Sequence, residues 1–284
     1  RKHGQIYCEK KEPRFFDAHV FHDDPAFHSY KTLDHYLSLF DNINAQNALY
    51  RLDASTFVMY DAAAIQNILD ISPDSRFIVM LRDPIEASRS MHKQRLRYSD
   101  KKMREVSDDF MTCWNLLQAR SKGESFPVGC RNRILFQYDV LYHYERHIPK
   151  VVAAVGENPF LILNYQELRS SPEIFFQKLA YFLELDPREF SAPQEVNVST
   201  YVDNTLRNRM RQNLFRLLAR NTQSLRRALG LVGYKVKMAK GNQPQMAHPS
   251  QGKIQLDALT REFSDTYHYL NTLLKDSQIK PNDP

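Results

Sequence analysis

Cysteine is scarce in this chain of 284 residues: its three cysteines, Cys8, Cys113 and Cys130, are too few for a disulfide framework. Their spacing also does not match that of metal ligands. Two interpretations stay open. Either Cys113 and Cys130 form one bridge, or all three are thiols of a protein in a reducing compartment.

Long apolar runs are absent as well. No stretch approaches the ~20 consecutive apolar residues of a membrane-spanning helix, and no secretory signal is visible. Apolar residues nevertheless make up 42% of the chain, which is enough to bury a core. We therefore expect no membrane span in the sequence. The length of the chain suits one large α/β domain or two small ones.

Acidic residues are missing from one long segment. Between Asn204 and Leu256 there is no Asp or Glu, whereas Arg and Lys recur from Arg207 to Lys253. Such a segment creates a positive field that attracts an anion, and the alternative, a solvated helix face, stays open. No nucleic-acid-binding motif accompanies the charge, so a nucleic-acid partner is not expected.

Short, wholly apolar segments alternate with helical patterns along the chain. The segments 76–81 and 160–163 have the length and composition of buried parallel strands. The pattern predicts an α/β fold, a single domain with a central parallel β-sheet that helices cover on both faces. The helical spacing predicts helices over 31–40, 104–119, 134–148, from Ser171 to Leu183, and along one stripe from Leu256 to Leu274.

A cation follows the strand 76–81 directly, in the sequence RFIVMLRDPIEASRS. Asp83, Pro84 and Glu86 have the spacing of a capping box, so a helix begins immediately after Arg82. Ligands of open parallel sheets bind outside the carboxyl ends of the strands, where Arg82 and a serine two turns into the helix, Ser90, could bind one phosphate. The alternative is that Arg82 pairs with a nearby carboxylate and Ser90 is an ordinary helix residue.

The segment LRDPIEASRS resembles the motif with which PAPS-dependent sulfotransferases bind the 3′-phosphate of 3′-phosphoadenosine 5′-phosphosulfate (PAPS). Arg82 and Ser90 occupy the two phosphate-binding positions of that motif, and Ala87 departs from an arginine often found there. Further segments resemble the heparan-sulfate and carbohydrate type of this family in the same order: KKEPRFFD, LDASTFVMY, FLILNYQELRSSPEIFFQKLAYFLEL and AKGNQPQMAHP.

The resemblance implies a P-loop NTPase-like fold and sulfuryl transfer from PAPS, which leaves PAP, to a hydroxyl or amine of an acceptor. A carbohydrate or small-molecule acceptor and no metal are expected. Glu12 is the implied catalytic base. The implied nucleotide-binding residues are Arg82, Ser90, Lys240 and Gly241, and the implied substrate-binding residues are Lys11, Arg14, Asp17, Asp53 and Ser55.

The family's second nucleotide motif, a phosphate-binding loop with a lysine and G-T-T or G-T-S, does not occur in the chain. We expect one domain over residues 1–284 with this loop upstream of Arg1. The alternatives are a non-catalytic relative that binds PAP or an anionic glycan, and a kinase-like P-loop enzyme for small molecules.

Three further features separate the chain from the heparan-type enzymes. Arg14 replaces the usual histidine, Asn242 replaces the arginine of K-G-R, and residues 213–255 contain no cysteine for the disulfide near that loop. A cytoplasmic, bacterial-type enzyme is therefore expected. The alternative is the Golgi lumen, for a eukaryotic protein with an N-terminal anchor.

Overall fold

Two parallel ladders, each of two strands, are found in the residues that the structure, a computed structural model, describes: 4–21, 28–190 and 249–276. β1 (Ile6–Tyr7) pairs with β2 (Tyr50–Arg51), and β3 (Phe77–Leu81) pairs with β4 (Phe160–Asn164). The α/β fold with parallel strands is confirmed, and the described residues contain its sheet as these two separate pieces.

Helices connect and cover the strands. The first half of the chain contains α1 (Leu33–Leu37), α2 (Ile43–Asn47), α3 (Ala62–Ile71), α4 (Pro84–Leu96), α5 (Phe110–Trp114) and α6 (Leu117–Ser121). The remaining described residues form α7 (Tyr138–Tyr142), α8 (Tyr144–Val155), α9 (Tyr165–Ser170), α10 (Pro172–Leu183), α11 (Pro249–Glu262) and α12 (Ser264–Asp276). Short 3₁₀ turns lie at Ala18–Phe21, Ser38–Phe40, Thr56–Tyr60, Arg133–Phe136 and Pro187–Glu189.

One face of β3 packs into the main apolar core. Val79 and Leu81 are buried there with Ile65 of α3 and Ile148 of α8. Alternate residues of a strand point to opposite faces, and on the other face Ile78 and Met80 are 38% and 48% exposed. The predicted cover on both faces of the sheet is therefore not found at these two positions.

The predicted helix 104–119 is wrong in its bounds, because two polar side chains interrupt it. Asp109 accepts a hydrogen bond from the N–H of Thr112 at 2.7 Å and so starts α5. Glu105, upstream of that cap, is buried in an ion pair with Arg120. A helix through Glu105 would have to give up these contacts, and the segment forms α5 and α6 instead.

The Glu105–Arg120 pair is bidentate and fully buried. Nη1 and Nη2 of Arg120 each donate to one Glu105 oxygen at 2.8 Å, and the hydroxyl of Tyr138 donates to the same carboxylate. Burial by itself raises the pKa of Glu105, but the bonds from Arg120 and Tyr138 outweigh it and lower the pKa. Nearby Cys113 is a buried thiol, not bridged to Cys130, and burial raises its pKa to about 12.

Other predicted helices are shorter or broken. The segment 134–148 contains most of a 3₁₀ turn, all of α7 and the start of α8. The two helices are separated at His143, whose backbone is not helical. The helix predicted over 31–40 is α1 followed by a 3₁₀ turn. Ser171 starts α10 as predicted, but its side chain makes no capping bond.

The predicted C-terminal helix is likewise divided, into α11 and α12 at Phe263. Leu259 and Phe263 are fully buried, as the stripe predicted, whereas Leu256 is exposed. The C-terminal part of the stripe reaches the carboxyl ends of β3 and β4, where Leu270 lines a cavity.

Candidate active site

The junction of β3 and α4 has the predicted helix start. Oδ1 of Asp83 accepts a hydrogen bond from the N–H of Glu86 at 2.8 Å, and Pro84 is the first helical residue. The side chain of Glu86 does not complete the capping box, because it pairs with Arg82 instead. This junction places Arg82 at the carboxyl end of β3, as the sequence predicted.

Arg82 has two neighbours that restrain its guanidinium group. Its Nε and Nη2 both donate to Oε2 of Glu86, at 3.2 and 3.1 Å. The guanidinium carbon also lies 5.0 Å from the centre of the Tyr165 ring, within the range of a cation–π interaction. The carboxylate pairing, which was the alternative interpretation for Arg82, therefore occurs in the structure.

Ser90 is exposed on the same helix, four residues after Glu86. Residues four apart lie on one face of a helix, so Ser90 follows Glu86 on that face. Ser88, by contrast, is buried and donates to the carbonyl oxygen of Pro84 at 2.7 Å. The exposed serine of this helix start is the one at the predicted phosphate-binding position.

A cavity of about 370 Å³ opens at the carboxyl ends of β3 and β4. Arg82 and Glu86 line it on one side and Asn164 on the other, while Tyr267 and Leu270 of α12 form a wall. Among the described residues, the charged side chains that line it are one cation, Arg82, and two carboxylates, Asp83 and Glu86. Ligands bind in this position in open parallel sheets.

Two polar contacts hold the α12 wall in place. The hydroxyl of Tyr267 donates to Oδ2 of Asp83 at 2.7 Å, which connects α12 to the start of α4. Thr266 donates to Oε2 of Glu145 at 2.6 Å, which connects α12 to α8. The cavity therefore has walls from α4, the β4–α9 junction and α12.

A second polar cluster forms around Arg14. Its guanidinium pairs with the carboxylate of Glu12, and its backbone N–H donates to Oγ of Ser55 at 2.9 Å. The guanidinium also lies over the rings of Phe21 and Phe57, at 4.9 and 5.5 Å. The structure thus brings Ser55 to Glu12 and Arg14, which lie about forty positions earlier in the sequence.

The backbone of this segment is unusual. Glu12 and Arg14 both have φ of 58°, in the left-handed region that non-glycine residues seldom adopt. Such conformations persist only where the surrounding contacts enforce them, and they are frequent at functional sites. The Glu12–Arg14 pair and the Arg14–Ser55 bond are contacts of this kind.

Asp17 is the most deeply buried carboxylate of the second cluster. It is 0% exposed, and its Oδ2 accepts a hydrogen bond from the N–H of Phe57 at 3.2 Å. Its Oδ1 has no hydrogen-bond partner among the described residues. Burial raises the pKa of Asp17 to about 6, although the charge of Arg14 lowers it.

Asp53 joins this cluster from the other segment. Its Oδ2 accepts a hydrogen bond from the hydroxyl of Tyr36 at 2.9 Å, and its Oδ1 accepts from the N–H of Ser55 at 2.8 Å. Its negative charge contributes to the raised pKa of Asp17. Burial is the main reason that the pKa of Tyr36 lies above its ordinary range, and the negative charge of Asp53 raises it further.

The remaining predicted residues lie elsewhere. Lys11 is exposed beside Glu12. Lys240, Gly241 and the basic segment up to residue 248 lie outside the described residues. Tyr138 and Tyr144 are buried core residues, and burial raises the pKa of both.

Several residues of the site were not identified from the sequence. Glu86 was assigned to the capping box, but its spacing of four from Arg82 on a helix start is also that of an ion pair. Tyr165, Tyr267 and Tyr36 carry no local signal, because their partners lie far away in the sequence. No group of three or more side chains arranged to hold a metal occurs in the described ranges.

Parallel strands, covering helices and a cavity at the carboxyl ends of the strands define an α/β fold. That fold is found in the crystal structure of a sulfotransferase from Alicyclobacillus acidocaldarius, to which the chain is similar with a TM-score of 0.53 and 19% sequence identity. The similarity covers 80% of this chain and 87% of that chain. At this identity the similarity establishes the fold alone. Any function must therefore be argued from the residues of the site.

Two further comparisons give no match. No protein-family model matches the chain, and neither does any curated protein sequence. Among the described helices, none is long and apolar enough to cross a membrane.

Proposed function

We propose that this protein is a sulfotransferase that transfers a sulfuryl group from PAPS to a hydroxyl or amine of an acceptor, with a carbohydrate as the expected acceptor. One observation carries the proposal: Arg82 lines a cavity at the carboxyl ends of two paired parallel strands, in a fold like that of a sulfotransferase. The resemblance of the surrounding residues to the PAPS motif gives the cavity its ligand.

In this proposal the nucleotide occupies the cavity, with its 3′-phosphate at Arg82 and Ser90. Arginine suits this role because its planar fork of N–H donors matches phosphate oxygens. The start of α4 adds a favourable dipole for an anion. Lys240 and Gly241 are proposed as further contacts to the nucleotide.

The acceptor is proposed to bind at the second cluster, beside Lys11, Arg14, Asp17, Asp53 and Ser55. The acceptor oxygen attacks the sulfur, the bond from sulfur to the bridging oxygen of PAPS breaks, and PAP leaves with that electron pair. A carboxylate must accept the proton of the acceptor hydroxyl. Glu12 is the proposed base, because it is half-buried at the side of this cluster.

The proposal is tested by measuring binding of PAP by calorimetry and transfer of ³⁵S from labelled PAPS to desulfated glycans and small alcohols. Arg82→Ala should weaken PAP binding about 10- to 100-fold, because a charged hydrogen bond is worth about 1.5–3 kcal/mol. Adenosine 5′-phosphate, which lacks the 3′-phosphate, should bind equally to both proteins.

Arg97→Ala is the matched control, since it removes the same charge at the other end of α4. Circular dichroism establishes that each variant is folded. An equal loss for both nucleotides in Arg82→Ala would refute the phosphate assignment. PAP binding without transfer to any acceptor would support the non-catalytic alternative.

A further inference from the structure

The Arg82–Glu86 ion pair occupies the donors that a phosphate would use. Both Nε and Nη2 of Arg82 point to one oxygen of Glu86, and these two groups form one of the edges with which a guanidinium binds phosphate in bidentate fashion. The pair lies at the cavity, because both residues line it. A phosphate that binds at this edge therefore competes with the Glu86 carboxylate for the same two N–H groups.

The position of Glu86 strengthens this competition. It lies on α4 between Arg82 and Ser90, the two residues proposed to bind one phosphate, and on the same helix face as Ser90. Asp83 cannot take over the role, since its oxygens accept from the N–H of Glu86 and the hydroxyl of Tyr267. Glu86 is the carboxylate of the lining that reaches Arg82.

The pair is also easily displaced. The side chain of Glu86 is 46% exposed and that of Arg82 33% exposed, so solvent and salt weaken their attraction. When a phosphate displaces the Glu86 carboxylate from Arg82, that carboxylate can rotate into the solvent without being buried.

We infer that Glu86 is an intramolecular competitor of the 3′-phosphate, which sets the affinity of the cavity for both donor and product nucleotide. The inference rests on the proposed function. The free protein keeps Arg82 paired through Glu86, and the nucleotide binds by exchanging one anion for another. Glu86 thereby lowers the affinity for PAP and favours its release.

The test is a double-mutant cycle on PAP binding, measured by calorimetry with the full chain. Glu86→Gln should tighten PAP binding about 2- to 5-fold, the strength of an exposed ion pair, and leave binding of adenosine 5′-phosphate unchanged. In the Arg82→Ala background the same substitution should have no effect on PAP. Glu173→Gln, which removes an exposed carboxylate from the first turn of α10, controls for net charge.

Two kinds of result would overturn the inference. Weaker PAP binding by Glu86→Gln would mean that Glu86 positions Arg82 for the phosphate. A gain that persists in the Arg82→Ala background, or that Glu173→Gln reproduces, would mean a general charge effect.

The outcome also separates this inference from the proposed function. If the folded wild-type protein binds PAP through Arg82 but Glu86→Gln changes nothing, the inference alone fails. If neither protein binds PAP, both fail. If Glu86→Gln alone binds PAP, and Arg82→Ala abolishes that binding, the inference holds.

Discussion

Replacing Asp17 by asparagine should stabilise the protein at neutral pH. The pKa of Asp17 rises from 3.8 to about 6 because the carboxyl is buried. One pKa unit corresponds to about 1.36 kcal/mol, so keeping Asp17 ionised in the folded protein costs about 3 kcal/mol. Asparagine retains an oxygen for the N–H of Phe57 and carries no charge.

The expected gain depends on pH in a defined way. The folded state holds the proton of Asp17 more tightly than the unfolded state, so this group reduces stability as the pH rises from about 4 to about 6. Above that window, Asp17→Asn should be more stable by about 1–3 kcal/mol, a rise in Tm of roughly 2–10 °C. Below about pH 4 the two proteins should be equally stable.

Calorimetric melting between pH 4 and pH 7.5 measures this difference. Asp109→Asn is the contrasting control, because hydrogen bonds from Thr112 lower the pKa of Asp109. That variant should lose stability at neutral pH, and the loss should shrink as the pH falls. An Asp17→Asn protein that melts below the wild type at pH 7.5 would refute the claim that the ionised carboxylate is held at a cost.

Two further substitutions test the second cluster and the core. Glu12→Gln should lower kcat about 10²- to 10⁴-fold with PAP binding unchanged; a kcat above about a third of wild type, with chemistry rate-limiting, would transfer the role of base to Asp17 or Asp53. Glu105→Gln should destabilise the protein by about 3–5 kcal/mol in urea unfolding at neutral pH, because it leaves the buried charge of Arg120 uncompensated. Since the pKa of Glu105 is lowered, this difference should disappear as the pH falls through that pKa; a pH-independent difference would contradict the ion-pair explanation.

Features with a local cause could be predicted from the sequence. The apolar run of β3 and the Asp83–Pro84 helix start were identified correctly, because strand composition and capping act over a few neighbouring residues. The position of Arg82 at the strand end followed from these two elements. The helix breaks at Asp109 and His143 could not be read from periodicity, because side-chain and backbone contacts there override an apolar pattern that continues.

The sequence by itself determined the α/β class and the β3–α4 junction, and its resemblance to sulfotransferase segments singled out Glu12, Asp17 and Asp53. Tertiary structure decided how those carboxylates differ. It buries Asp17 against Phe57, whose N–H donates to the carboxylate, and this burial raises the pKa of Asp17. It also brings Ser55 to Arg14, whose backbone N–H donates to the Ser55 hydroxyl. The physical reason is that burial and pairing depend on segments some forty residues apart, whereas capping and strand formation depend on adjacent residues alone.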